Sequence, residues 1–317
     1  MKTKIFSAFC LIASMFSCSK DCDIPGNESQ DNLVSPRITA TVNSEIGYSP
    51  LTGILEVYPC ESNSSIYYGN YVDGKLTPFN GYYRILEGHT FGDYNRVLSL
   101  PDNFYNFVYW GTPKYEEPIY SKPQIGSPGL VIGADLSQLY FTLRENDDKT
   151  CAPVYDLVFA QKETHTSDDF KAELKRAVAG LKVTVKNSGN GTFSSNIKSM
   201  EIHVGSIAEK LNFYTAQPEN QTKTVKFELA RSVDDTEMTN ATVMLFPSAP
   251  NPLIKLVITM QDGTTKVLSK NIENTLSANT KLNLNITLKE TIINNNTGDF
   301  SIQNWNEVSE DIVFELK

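Results

Sequence analysis

Cysteine and histidine are scarce in this chain. Five cysteines in 317 residues cannot build the dense disulfide framework of a small secreted scaffold, and no two of them form a CxxC pair. The three histidines, His89, His165 and His203, lie far apart and outside any HExxH or HxH pattern, so no metal site is expected. Nucleophile-elbow, phosphate-loop and dinucleotide fingerprints are missing, and with them any expected cofactor. The acidic clusters Glu145–Asp148 and Asp234–Glu237 lack the spacing and glycine of a calcium loop and read as solvated loop charge. Basic residues are outnumbered, 28 Lys and Arg against 37 Asp and Glu for a net charge of −9. That balance does not attract nucleic acid or anionic headgroups. The N-terminal apolar run, Ile5–Phe16, has 12 residues, well short of the roughly 20 that span a bilayer as a helix. The sequence therefore predicts a protein that is not an enzyme.

What is present begins at the N-terminus. Met1-Lys2-Thr3-Lys4, the apolar run and a small residue before a cysteine follow the layout of a secretory signal. Met15-Phe16-Ser17-Cys18 is similar to a bacterial lipobox, although Met15 and Phe16 are not its usual residues. It predicts removal of residues 1–17 and lipidation of Cys18, with ordinary secretion as the alternative. Each buried methylene contributes about 0.8 kcal/mol, so more than one acyl chain gives stable anchoring. Residues 18–36 are polar, partly acidic and rich in Gly, Asn, Ser and Pro, which predicts a solvated tether. This stretch resembles the export tags of surface lipoproteins in Bacteroidetes. The expected location is the outer membrane, lipid-anchored and facing outward.

Beyond the tether, 15 Tyr and 16 Phe accompany short alternating segments and almost no helical periodicity. The fold class expected is all-β. Ile38, Ala40 and Val42 alternate, as do Leu181, Val183 and Val185, then Met200, Ile202 and Val204, and finally Leu282, Leu284, Ile286 and Leu288. Asp73-Gly74 marks a turn and Asp262-Gly263 a hairpin turn. Strands arrive every ~10–14 residues, as in a Greek-key sandwich. The length fits two domains. The charged stretch at 145–152 places their boundary, giving 37–150 and 151–317. Residues 167–180 admit two readings. Ser167-Asp168-Asp169 resembles a helix start with Phe170, Leu174 and Val178 on one face, and local signals favour a short helix over a bulged strand. Of the cysteines left after Cys18, Cys60 and Cys151 are read as unpaired rather than bridged.

The run Tyr105-Asn106-Phe107-Val108-Tyr109-Trp110 is the most distinctive of the first half. It reads as a buried strand, with a carbohydrate platform of Tyr109, Trp110 and Tyr115 as the alternative. Leu100–Gly111 is similar to the LPxGxYxFVxWG strand of the Bacteroidales fimbrillin superfamily, the stalk, anchor and tip subunits of pili. Here Asn103 and Phe104 replace the glycine-containing turn. Leu174–Val185 is similar to the segment that opens the second domain in that family, where it is strand, and the ending around Trp305 is similar as well.

The resemblance implies two tandem transthyretin-like Greek-key sandwiches. It implies partnership with other fimbrial subunits by donor-strand insertion, in which one subunit's strand completes another's open edge. Family stalk subunits are cut after an arginine near the first strand. Arg37 stands where such a cut would fall, against the plainer reading of a strand-edge arginine. The expected function is a surface fimbrial subunit or adhesin, with host or bacterial surface glycans and proteins as further partners. The alternative is a glycan-binding lipoprotein of a polysaccharide-uptake system.

Overall fold

The structure is a computed structural model that describes residues 32–44, 47–114, 124–188, 191–288 and 300–301. Cys18, Cys22, Tyr115, Tyr120 and Trp305 lie outside these residues. The described residues from Leu33 onward form one compact unit.

The first half runs through ten strands: β1 (Leu33–Val34), β2 (Ile38–Ser44), β3 (Gly47–Pro50), β4 (Gly53–Glu61), β5 (Asn70–Val72), β6 (Lys75–Thr77), β7 (Gly81–Leu86), β8 (His89–Thr90), β9 (Leu100–Pro101) and β10 (Phe104–Thr112). Next come β11 (Ile125–Gly126), β12 (Tyr140–Leu143), β13 (Val158–His165), β14 (Phe170–Arg176), β15 (Ala179–Asn187) and β16 (Ile197–Asn212). The chain closes with β17 (Pro218–Arg231), β18 (Glu237–Thr239), β19 (Val243–Leu245), β20 (Leu253–Met260), β21 (Thr265–Asn271), β22 (Lys281–Leu288) and β23 (Phe300–Ser301). No α-helix occurs among the described residues, and a 3-10 turn runs over Leu136–Gln138. The all-β expectation holds. The turns at Asp73-Gly74 (φ 50° and 73°) and Gly263 (φ 83°) take the left-handed backbone that such hairpins need.

Two sheets carry the fold. The first has the order β14-β13-β10-β4-β7-β8-β2-β3, and β14 also pairs with β2. That extra pairing curls the sheet closed around a core that includes Val42, Leu55, Val57, Phe107, Tyr109, Phe170 and Leu174. The second follows β11-β12-β16-β17-β18-β15-β22-β23, with β19, β20 and β21 branching from it. Each sheet is finished by a parallel pair. β2 lies along β14, Ile38 opposite Phe170, and β22 lies along β15, Leu282 opposite Leu181. Two consecutive strands, β14 and β15, thus each take one strand from an opposite end of the chain.

The helix reading of 167–180 is corrected. The segment is the hairpin arm β14 leading into β15. Phe170, Ala172 and Leu174 are buried while Lys171, Glu173 and Lys175 are exposed, which is the two-residue period of a strand. Phe170 and Leu174 satisfy both periods. The pairing to β2 and β13 decides between them, because long-range pairing fixes the strand while a helix this short is marginal on its own.

Strand pairing also crosses residue 150. β13 and β14 complete the sheet begun by residues 38–112, while β11 and β12 join the sheet built largely by residues 179–288. The charged stretch that suggested a linker is a turn held by ion pairs: Glu145 to Lys223 at 2.7 Å and Asp148 to Lys226 at 2.5 Å.

β4 and β10 are buried on both faces, and this joins the two cores. Tyr105, Phe107 and Tyr109 fill the first core, whereas Val108 and Trp110 belong to the second. On β4, Leu55 and Val57 face the first core, Tyr58 and Cys60 the second. A strand buried on both faces reads as a continuous apolar run, as residues 104–111 do. Gly111 ends that run where β10 packs closely on β4. A Cβ there would come within 2.5 Å of the Ile54 carbonyl oxygen.

Candidate functional site

Two regions carry features that packing alone does not require. The first is the N-terminal strand. Among the described residues β1 pairs only with β9, Leu33 opposite Pro101 and Val34 opposite Leu100. Pro36 is buried and Arg37 is exposed. The Arg37 carbonyl accepts from the Phe170 N–H at 2.9 Å, so the parallel ladder begins at Arg37 itself. β2 then buries Ile38, Ala40 and Val42. On its other side β2 meets β8 through one pair, Thr39 opposite His89, and β3 further along. A groove of about 580 Å³ opens beside this thin contact, with Arg37, His89, Asp169 and Lys171 among its walls.

Cleavage after Arg37 would free residues up to 37, including β1. It would leave β2 inside the remaining chain, bonded to β14. Ile38, Ala40 and Val42 of β2 thus stay in the first core after a cut at Arg37.

The second region is a cavity of about 380 Å³ where β4 and β10 face the second core. Glu56, Tyr58 and Cys60 alternate on that face of β4, and Trp110 lies directly across from Glu56. Phe141 and Phe213 pack on Trp110 at ring-centroid distances of 4.8 and 5.9 Å, and the indole N–H donates to the Phe213 carbonyl at 2.8 Å. Glu56 Oε1 accepts from Asn80 Nδ2 at 3.2 Å. Arg96 in turn donates to the Asn80 side-chain and backbone oxygens at 2.7 and 2.6 Å, and its guanidinium sits 5.1 Å from the centre of the Phe79 ring. Burial pushes the Glu56 carboxyl above its ordinary value. Hydrogen bonds from Tyr58 and Asn80 and the charge of Arg96 offset only part of that rise. Burial and the neighbouring Glu56 charge push the Tyr58 phenol well up.

Of the residues singled out from sequence, Arg37 is at the first region. Trp110 lines the cavity but is 1% exposed, and Tyr109, also 1% exposed, faces the opposite core. Rings this covered have no face for a sugar, so a surface platform of Tyr109 and Trp110 is ruled out. The Tyr115 call lies outside the described residues. Cys60 and Cys151 are both free and buried, and burial pushes the Cys60 thiol up to about 12. Among the described residues no three His, Cys, Asp or Glu side chains cluster as metal ligands. No helix among them is long and apolar enough to cross a membrane. Sequence reading missed Glu56, Asn80 and Arg96. The available signal was Glu56 sharing the strand period of Tyr58 and Cys60, an acid on an otherwise apolar face.

The family model for fimbrillin-A associated anchor proteins Mfa1 and Mfa2 matches residues 19–311. The chain belongs to this family. Among solved structures, a candidate adhesin from Bacteroides ovatus is 12% identical, covering 90% of this chain and 96% of that one, with a TM-score of 0.57. A candidate polysaccharide-binding protein from Bacteroides thetaiotaomicron is 14% identical over 81% of this chain and 93% of that one, TM-score 0.53. The fimbrial anchor protein Mfa2 from Porphyromonas gingivalis is 13% identical over 88% and 99%, TM-score 0.51. At these identities the likeness is one of fold. None of the curated proteins matches the chain. Membership in the Mfa1/Mfa2 anchor family accounts for a fimbrial, cell-surface role and for association with other fimbrial subunits.

Proposed function

We propose that this chain is a non-catalytic anchor-type fimbrial subunit, tethered to the outer membrane by lipid at Cys18 and joined to its neighbour by β-strand addition. The observation that carries the reading is the family match over residues 19–311. On this reading the two sheets correspond to the tandem transthyretin-like Greek-key domains of the superfamily, with strands traded across residue 150. β2, paired with β14, stays in the chain after a cut at Arg37, which favours assembly without that cut. Strand addition is served at the other end of the chain. The edge of β22 turned away from β15 carries, among the described residues, only β23, over Thr287 and Leu288. An incoming strand there would gain backbone hydrogen bonds along the β22 ladder.

Deletion of the gene in its native host tests the role. Loss or shedding of fimbriae, restored by the wild-type gene, is the expected outcome. Fimbriae unchanged in number, length and attachment would contradict it.

A further inference from the structure

We propose that the two parallel ladders, β2 on β14 and β22 on β15, form a splice that carries tension through the chain in shear. The source of that tension rests on the anchor reading, with lipid ahead of β2 and a neighbouring subunit on β22; the ladder geometry does not. β14 and β15 are separated only by Ala177 and Val178, so they make one bent spine. β2 lies along its first part, from Ile38 opposite Phe170 to Val42 opposite Leu174. β22 lies along its second part, from Lys281 opposite Gly180 to Leu288 opposite Asn187. Asn279 marks the joint between them. Its Nδ2 donates to Asn43 Oδ1 at 3.1 Å, its Oδ1 accepts from the Arg176 N–H at 3.3 Å, and its own N–H donates to the Val178 carbonyl at 3.0 Å. The end of β2 and the approach to β22 therefore meet at the bend of the spine.

Strand direction decides how this layout bears load. A pull on the tether reaches β2 at its N-terminal end, and β14 passes the load into β15 from its C-terminal end. In a parallel pair those are opposite ends. One strand must then slide past the other, which strains every hydrogen bond of the ladder together. In an antiparallel pair the same two ends lie side by side, and a pull would open the ladder one bond at a time. The same holds for β15, loaded at its N-terminal end, against β22, loaded at its C-terminal end or along its outer edge. Sliding would also drag Ile38, Ala40 and Val42 through the first core and Leu282, Leu284, Ile286 and Leu288 through the second, with apolar surface exposed as they move. Forced unfolding is set by the unfolding barrier, and a load shared by a whole ladder lowers that barrier least.

The test is single-molecule force spectroscopy on the chain from Ser19 onward. Cys22→Ser leaves only the buried Cys60 and Cys151, so that handles attach where they are placed. Handles at the two ends of the chain load both ladders in shear. Handles at the N-terminus and at Asp168→Cys pull β2 and β14 from the same end and peel them apart. Handles at the C-terminus and at Gly191→Cys do the same to β15 and β22. Both positions are exposed, and a Cβ at residue 191 meets no atom within 4 Å. At one loading rate, the end-to-end pull is expected to need at least about twice the force of either peel. An end-to-end force below that overturns the proposal. Melting curves confirm the fold of each variant, and if one cysteine variant does not fold, the other peel decides. The pull needs no fimbria, so its failure would leave the fimbrial role standing, and fimbriae unchanged by gene deletion would leave the splice standing.

Discussion

The Trp110 indole N–H donates to the carbonyl of Phe213, 103 residues away, at 2.8 Å. Trp110 stands on a strand whose alternate residues fill the first core, while Phe213 belongs to the second. One hydrogen bond and the ring packing around it therefore tie the sheets together. Because β4 and β10 serve both cores, neither core can lose its packing without exposing the other.

Urea unfolding of the mature chain should accordingly show one cooperative transition by fluorescence and circular dichroism alike. Trp110→Phe keeps most of the ring but leaves the Phe213 carbonyl without its donor, a loss of about 1–3 kcal/mol. Trp110→Ala adds a cavity and should lose about 3–5 kcal/mol. Both variants should keep the single transition. Two separate transitions in the wild type would show that the cores fold independently.

Two tyrosines in the first core should respond in opposite ways to loss of their hydroxyl. The Tyr109 hydroxyl is buried and meets no hydrogen-bond partner among the described residues. The Tyr83 hydroxyl accepts from the Leu98 N–H at 2.7 Å. Tyr109→Phe should leave stability unchanged or raise it by up to about 1 kcal/mol, and Tyr83→Phe should lower it by about 1–3 kcal/mol. Thermal melts of the two variants compare them directly.

Glu56 makes stability depend on pH with a definite sign. Its carboxyl is raised above the ordinary 4.5 in the folded chain, chiefly by burial. Between that value and the folded one, the folded state holds more protons than the unfolded state, so stability falls as pH rises through the window. Below it the penalty is absent. Glu56→Gln removes this contribution, so its melting temperature relative to wild type should increase from about pH 4 to about pH 7. Asp156 is also raised by burial, against its pair with Arg176, but it is present in both proteins and cancels. A constant difference between the two proteins across this range would contradict the assignment.

How legible this fold was from sequence depended on how local each signal was. The aromatic run at 105–110 announced a buried strand, and burial on both faces is why polar alternation is largely missing from it. Asp73-Gly74 announced a turn and Asp262-Gly263 a hairpin, because their backbone angles need these residues. Phe170 and Leu174 misled, since a spacing of four fits helix and strand alike and only the partners β2 and β13 choose. The boundary at 150 was drawn from charge, which marks turns. The exchange of β11, β12, β13 and β14 between sheets is long-range pairing with no local trace. Glu56 stayed hidden for a similar reason. Its strand was visible in the sequence, but the second sheet that covers its face is built from residues far along the chain, Phe141 and Phe213 among the lining.

The central claim is that the chain holds fimbriae to the cell through Cys18. It is tested most directly by replacing the gene with a Cys18→Ala variant that keeps an exportable signal, then measuring fimbriae in the cell and medium fractions. The account predicts that fimbriae still assemble but shift into the medium, carrying the variant chain with them. Fimbriae that stay on the cell in wild-type amounts, with the variant at their base, would contradict it.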